Sequence, residues 1–183
     1  MAITRLSGTN AISGTLPAAN INNTSIGNVT ALPAAISTGK LLQVVRATST
    51  TTVSNTSAST YVDGNPNLDI TPLSSSSKIY LQFNIHTQLT TASGSIDGSL
   101  QYKIYRDSTE LIESGSVQHY RSAAYSGNTR DTKVFDYIDD AHGTTNQITY
   151  KYQFRNPHNT QSIATCASSM LSTIHAWEIE TWY

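Results

Sequence analysis

Ser77 to Leu89 reads SKIYLQFNIHTQL, and its apolar and polar positions alternate strictly. Ile79, Leu81, Phe83 and Ile85 fall on one side, and Tyr80, Gln82, Asn84 and His86 on the other. Successive side chains of a strand point to opposite faces, so this pattern predicts a strand with one face on a core and one face wet. Asn146 to Asn156 repeats it, with Ile148, Tyr150, Tyr152 and Phe154 against Thr149, Lys151, Gln153 and Arg155. The chain closes on a third such segment, Ser172 to Tyr183. These segments predict a β-sandwich preceded by an extended, polar N-terminal arm.

Further strands fall between turn signals. Lys40 to Thr48 (KLLQVVRAT) is apolar enough for a first strand, and Ser49 to Thr60 reads as a loop or an edge strand. Tyr61-Val62 and Leu68-Asp69-Ile70 flank a turn at Asp63 to Asn67. Gly94 to Gly98 turns the chain into Leu100 to Asp107, and a hairpin at Asp107 to Glu110 leads to Leu111-Ile112. Ser116 to Tyr125 is strand-like but polar, with Ser126-Gly127-Asn128 ending it. Asp131 to Ile138 is the next strand, Asp139 to Gly143 the turn into the Tyr-rich segment, and Ile163 to Met170 the approach to the last strand. Eight or nine strands at such spacing point to a sandwich or barrel, and no helix of three turns is evident.

Composition sharpens the all-β reading. Ser (24) and Thr (26) together make up more than a quarter of the 183 residues, and Thr suits strands as Ser suits turns. A formal net charge of −1 gives no basic field for nucleic acid. The single Cys166 excludes an intrachain disulfide framework and a thiolate zinc cluster, and is expected as a small buried hydrophobe. No apolar run is long enough to span a membrane, and the N-terminus lacks an apolar signal core. The Asn-X-Ser/Thr triplets at Asn22, Asn23, Asn28 and Asn55 are what chance supplies in a chain this rich in those residues.

Residues 1–39 hold no sustained period. Leu16-Pro17-Ala18-Ala19 recurs as Leu32-Pro33-Ala34-Ala35, and Ser7-Gly8-Thr9 as Ser13-Gly14-Thr15. Isolated apolar anchors such as Ile3, Leu6, Ile12, Leu16, Ile21, Ile26 and Val29 sit among polar residues. Alone, such a segment buries too little surface to offset its ordering entropy. It reads as a flexible tail or, given the repeated anchors, as an arm that orders against sister chains or a larger partner. The phrase Leu6 to Ala19, LSGTNAISGTLPAA, resembles the linker and stalk repeats of tailed-phage tail fibres.

A second resemblance covers most of residues 39 to 183. The succession GKLLQVV, a Ser/Thr-rich stretch, Tyr61-Val62-Asp63, Leu68 to Pro72, Ser75 to Ile79 and the closing Ser172-Thr173-Ile174 through Glu178-Ile179 is similar to a jelly-roll module of marine and cyanobacterial phage structural proteins. The resemblance implies a trimer shaped like tumour-necrosis-factor or complement-head domains. The residues alone do not specify a trimer, and a dimer is the commoner homo-oligomer. The longer loop at Gly64 to Asn67 and Trp177 in the last strand depart from the pattern and leave the ligand open.

Candidate chemistry is sparse. Asp63, Asn65, Asn67 and Asp69 alternate like the start of a calcium loop, but Pro66 interrupts them and Ser74 stands where the closing Glu belongs, so a plain turn is expected. Asp136, Asp139, Asp140 and His142 form the one dense acidic cluster; two carboxylates and a His suit a metal or acid–base work, but Asp139 and Asp140 are expected to cap a hairpin ending at Gly143. His86, His119, His158 and His175 are scattered, with His86 and His175 on strand faces opposite Ile85 and Ile174, where they would meet solvent or a subunit interface. Tyr102, Tyr105, Tyr120, Tyr125, Tyr137, Tyr150 and Tyr152 crowd the second half, and amphipathic rings serve interfaces, sugar faces and core edges alike. Tyr120, Arg121 and Tyr125 are the expected surface contact site. No catalytic or phosphate-binding motif is present, and no catalytic residue, metal or cofactor is expected.

These readings predict an all-β protein: a jelly-roll β-sandwich over 40–183 with an extended arm over 1–39 for docking and assembly. The resemblance implies a phage virion structural protein rather than an enzyme. It would be a homotrimeric short tail fibre or spike, docked on other virion proteins through Leu6, Ile12, Leu16, Pro17, Ile21, Leu32 and Pro33. Its jelly roll would face host-surface glycan, with no nucleic-acid partner and no membrane insertion. A capsid decoration (cement) protein is the alternative within that class. Fold and Tyr content also permit a free carbohydrate-binding module. A glycan hydrolase would need a close carboxylate pair, for which Asp136 with Asp140 is the offer.

Overall fold

The computed structural model describes residues 40–91, 97–121, 127–158 and 161–180, all within the unit Gly39–Tyr183. The arm anchors Leu6, Ile12, Leu16, Pro17, Ile21, Leu32 and Pro33 lie outside them, as does Tyr125. The described chain forms twelve strands. These are β1 (Leu41–Ser49), β2 (Val53–Asn55), β3 (Val62–Asp63), β4 (Leu68–Ile70), β5 (Lys78–Thr91) and β6 (Asp97–Arg106), then β7 (Thr109–Glu113), β8 (Val117–Arg121), β9 (Gly127–Asp139), β10 (Ile148–Arg155), β11 (Ile163–Thr165) and β12 (Ser172–Ile179).

Every strand pairing is antiparallel, and the pairings build two sheets. In the first, β1 pairs with β12, β12 with β5, and β5 with β9, while β11 and β2 extend it beyond the end of β12. In the second, β4 and β3 pair with β10, β10 with β6, and β6 with both β7 and β8. The long pairings run β1, β12, β5, β9 across the first sheet, and β3 with β4, then β10, β6, and β7 with β8 across the second. That is the double Greek key of a jelly roll, and the protein is an all-β sandwich of this kind.

The alternation in β5 is what fixes the layers. Ile79, Leu81, Phe83 and Ile85 are all fully buried, and from the opposite sheet so are Tyr150, Tyr152 and Phe154. Burying a side chain of this size contributes about 1.5–3 kcal/mol relative to leaving it exposed. Phe83 lies parallel to Phe135 of β9 at 4.9 Å and meets Tyr152 of β10 edge-on at 6.1 Å. Tyr102 of β6 stacks on Phe135 at 3.8 Å. Aromatic pairs in these geometries add specificity beyond the area they bury.

Three boundaries differ from the expectations. Gly127 and Asn128 do not end a strand but begin β9, because β5 runs on to Thr91 and supplies Thr90 and Thr91 as their ladder partners. A long partner strand overrides local turn propensity here. The approach to the last strand, Ile163 to Met170, is itself a strand as far as Thr165, where Cys166 adopts a left-handed backbone (φ 53°) and a short 3₁₀ turn follows over Ala167–Ser169. Cys166 is buried, its thiol donating toward the carbonyl of Asn65 at 3.3 Å. The hairpin after β6 needs only Asp107 and Ser108; Asp107 accepts its positive φ of 52° and fixes the turn by accepting from the Thr149 amide at 2.9 Å.

Gly64 sits where β3 gives way to the loop before β4. Its amide donates to the Tyr152 carbonyl at 2.9 Å, and a Cβ there would stand 2.2 Å from the Tyr152 ring. That ring is pinned by its own hydroxyl, which donates to the Asn65 carbonyl at 2.8 Å. Gly64→Ala should therefore lower the unfolding free energy by roughly 1–3 kcal/mol in urea titrations, the usual cost of overpacking. Gly115→Ala, where nothing lies within 4 Å, should stay within about 0.5 kcal/mol of the parent. Equal effects of the two substitutions would contradict this packing.

Candidate functional site

The acidic cluster foreseen around residues 136–142 is dispersed by the strand it sits on. Asp136 and Asp139 of β9 point to opposite faces. Asp139 turns into the sandwich, where only 2% of it is exposed. Its carboxylate accepts from Arg106 Nη1 at 2.8 Å to each oxygen, from the Tyr150 hydroxyl at 2.6 Å and from the Ala141 amide at 3.2 Å. Burial, then this hydrogen bond, pushes the Tyr150 hydroxyl well above the ordinary tyrosine range. Asp140 is exposed beyond the strand end. Among the described residues no set of three His, Cys, Asp or Glu side chains is gathered to hold a metal. In the loop that resembled a calcium site, Asp63 accepts from Lys151 and Gln153, and Asp69 from the Thr149 hydroxyl. Both carboxylates thus serve β10.

His142 belongs to a different constellation, one the sequence reading missed. Ser77 Oγ lies 3.2 Å from His142 Nε2, 2.6 Å from Glu178 Oε1 and 2.7 Å from the Ser74 carbonyl. A Ser, a His and a Glu together invite comparison with a nucleophile triad, in which the carboxylate orients the far nitrogen of the imidazole. Here the far nitrogen faces the Thr144 carbonyl at 3.1 Å, Nε2 lies 2.8 Å from the Ser77 carbonyl, and the carboxylate takes the hydroxyl itself. Ser77 is 2% exposed and Glu178 fully buried. The set is a clasp: Glu178 also accepts from Gln43 Nε2 at 2.6 Å and from the amides of Leu73 and Ser74 at 2.8 and 3.1 Å. It closes the loop between β4 and β5 over the end of the sandwich. The signal available in the sequence was parity, since Glu178 shares the inward phase of Ile174 and Ala176.

The two outer faces of the sandwich differ in kind. On the second sheet, Lys103 pairs with Glu110 and Glu113, and Lys151 with Asp63. Lys103 and Arg155 also lie over the Tyr61 ring at 4.9 and 4.6 Å. Burial and then the bond to Glu113 raise the Tyr61 hydroxyl to about 12. This face is charged and internally paired. On the first sheet, the ladder registers align side chains in crosswise rows. Val44, Trp177, Tyr80 and Ile138 form one row across β1, β12, β5 and β9. Arg46, His175, Gln82 and Asp136 form the next, and Thr48, Thr173, Asn84 and Val134 the one after. Val44, Ile138 and Val134 are 52%, 53% and 60% exposed. Trp177 packs against Tyr80 and His175, each at 5.4 Å between ring centres. A contiguous, partly exposed apolar row on a sheet face is the kind of surface that marks an interaction site.

His86 and His175 lie on this outer face, as expected. His86 Nδ1 is 2.8 Å from the Thr132 hydroxyl. His175 Nδ1 is shielded from solvent without a hydrogen-bond partner, and burial, then Arg46, hold its imidazole below the ordinary value. His158 lies 3.1 Å from the Ser116 hydroxyl. Tyr150 and Tyr152 fill the core and Tyr102 and Tyr137 pack against it, so most of the tyrosine cluster is structural. Tyr120 and Arg121 lie on β8 opposite Gly98 and Asp97, with their side chains, like Tyr125, outside the described set.

No family model matches the chain, and no curated protein matches it. Among solved structures it is similar to the infectious bursal disease virus particle, at 11% identity and a TM-score of 0.37 over 77% of this chain and 36% of that one. It is similar also to the Gx strain of that virus (10%, TM-score 0.36, 77% and 38%), and to the VP2 subviral particle of the same virus (12%, TM-score 0.35, 74% and 37%). The chain spans little more than a third of the length of those chains.

The clasp has a pH signature. Burial alone would raise the Glu178 carboxyl, but the donors from Ser77, Gln43, Leu73 and Ser74 outweigh it and hold it below the ordinary glutamate value. A folded-state value below the unfolded one means stabilisation present above the unfolded value and lost as pH falls through the folded one. Glu178→Ala should cost about 1–3 kcal/mol at neutral pH, the penalty for stranding buried donors. The gap between parent and variant should narrow as unfolding is followed toward acid pH. A gap independent of pH would contradict an ionised clasp.

Proposed function

We propose that this protein is a structural component of a phage virion, working as a homotrimer. Its N-terminal arm docks on other particle proteins, and its jelly roll stands outward as a short fibre or spike that meets host-surface glycan. The observation that carries the self-association is the contrast between the two outer faces. One ties Lys103 and Lys151 into ion pairs with Glu110, Glu113 and Asp63. The other presents an apolar row four strands wide, with exposed Val44 and Ile138 at its two ends. Covering such a row with a sister copy removes the exposed apolar surface, and closed symmetry leaves none over. The virion assignment draws on the resemblance of Leu6 to Ala19 to fibre linkers and of residues 39 to 183 to phage jelly-roll modules.

Light scattering on the full chain should give about 59 kDa, three times the 19.8 kDa of one copy; a monomer would overturn self-association. Immunogold labelling of particles should mark the tail tip. Label spread over the shell would replace the fibre by a decoration protein, and absence of label would reject the virion assignment.

A further inference from the structure

We propose that the copies associate through the outer face of the first sheet in one register, with Arg46 of one copy paired to Asp136 of the next. This deepens the self-association reading and rests on it. The apolar row and the two rows after it carry two charged residues, Arg46 on β1 and Asp136 on β9, and the row before it carries the exposed Lys78 on β5. Arg46 and Asp136 occupy the same row, at opposite edges, with His175 and Gln82 between them. Three strand spacings separate them, about 14 Å, so they do not reach each other within one copy. Among the described residues neither has an ion-pair or hydrogen-bond partner, whereas Lys103 and Lys151 of the other face are both ion-paired.

The neighbouring row explains why the two charges act together. Val44, Trp177, Tyr80 and Ile138 lie one step along the strands, so docking that covers the apolar row also takes water from the charged one. A desolvated charge without a partner is strongly unfavourable. Each copy therefore presents a positive edge and a negative edge, and only arrangements that bring β1 of one copy toward β9 of the next match them. Arrangements that set β1 against β1 place like charges together and are disfavoured. A head-to-tail ring satisfies the match, and so does a two-fold whose axis runs along the strands.

The test uses the full chain in sedimentation velocity, with circular dichroism as a check on folding. Arg46→Glu and Asp136→Arg should each weaken association on the order of a hundredfold. The double variant, Arg46→Glu with Asp136→Arg, should restore it. Lys151→Glu, on the other face, should leave it unchanged. An equimolar mixture of the two single variants should recover fully in an even-numbered assembly. In a trimer it should recover only in part, because one junction in three stays like-charged. If the parent chain assembles but the single variants assemble equally well, or the double variant does not recover, the charge register is wrong while self-association stands. If the parent chain is itself a monomer, the reading beneath it fails too.

Discussion

Phe83 and Tyr152 meet edge to face across the gap between the sheets, and most of the molecule follows from that contact being possible. It requires β5 and β10 to hold opposite phases, each turning its apolar set inward for its whole length. A slip of one residue in either strand would turn every core side chain out to solvent. The long ladder from Ile79↔Asp139 to Thr91↔Gly127 protects the phase of β5. The pairing of β10 with β6 protects the other. Phe135 and Tyr102, stacked on one another beside that contact, tie the edge of one sheet to the interior of the second.

With the core settled by alternation, the outward positions are free to differ, and they do. The second sheet covers itself with Lys103, Lys151 and Arg155 laid over or against Glu, Asp and Tyr partners. Such pairs stabilise little individually but keep the surface solvated. The first sheet turns Val44, Trp177, Tyr80 and Ile138 outward, and among the described residues β1 pairs only with β12 and β9 only with β5. An open edge beside an exposed apolar row invites pairing with another chain unless it is covered. The self-association proposed above would cover both features at once.

The buried polar groups serve the fold. Asp139 with Arg106 and Tyr150, and Glu178 with Ser77, Gln43 and two loop amides, are closed networks in which each carboxylate is met by several donors. Both carboxylates are committed to holding the sandwich ends. The acidic run at residues 136–142 looked dense in one dimension. It comes apart in three because a strand sends neighbouring side chains to opposite faces.

By itself the sequence determined the strands that alternate cleanly, and with them the inward residues of β5 and β10, because period-two burial is a local property that survives any arrangement of partners. It determined too that His86 and His175 would face away from the core. What only the tertiary structure decided depended on partners distant in the chain. The extension of β9 to Gly127 needed the far end of β5. The inward Glu178 needed the donors of a loop about a hundred residues earlier. The row from Val44 to Ile138 joins four strands that are scattered along the sequence. Arg46 and Asp136 lie ninety positions apart in the chain, and no periodicity can place them in one row. Register across a sheet comes from the hydrogen-bond ladders between strands, and those exist only once the chain has folded.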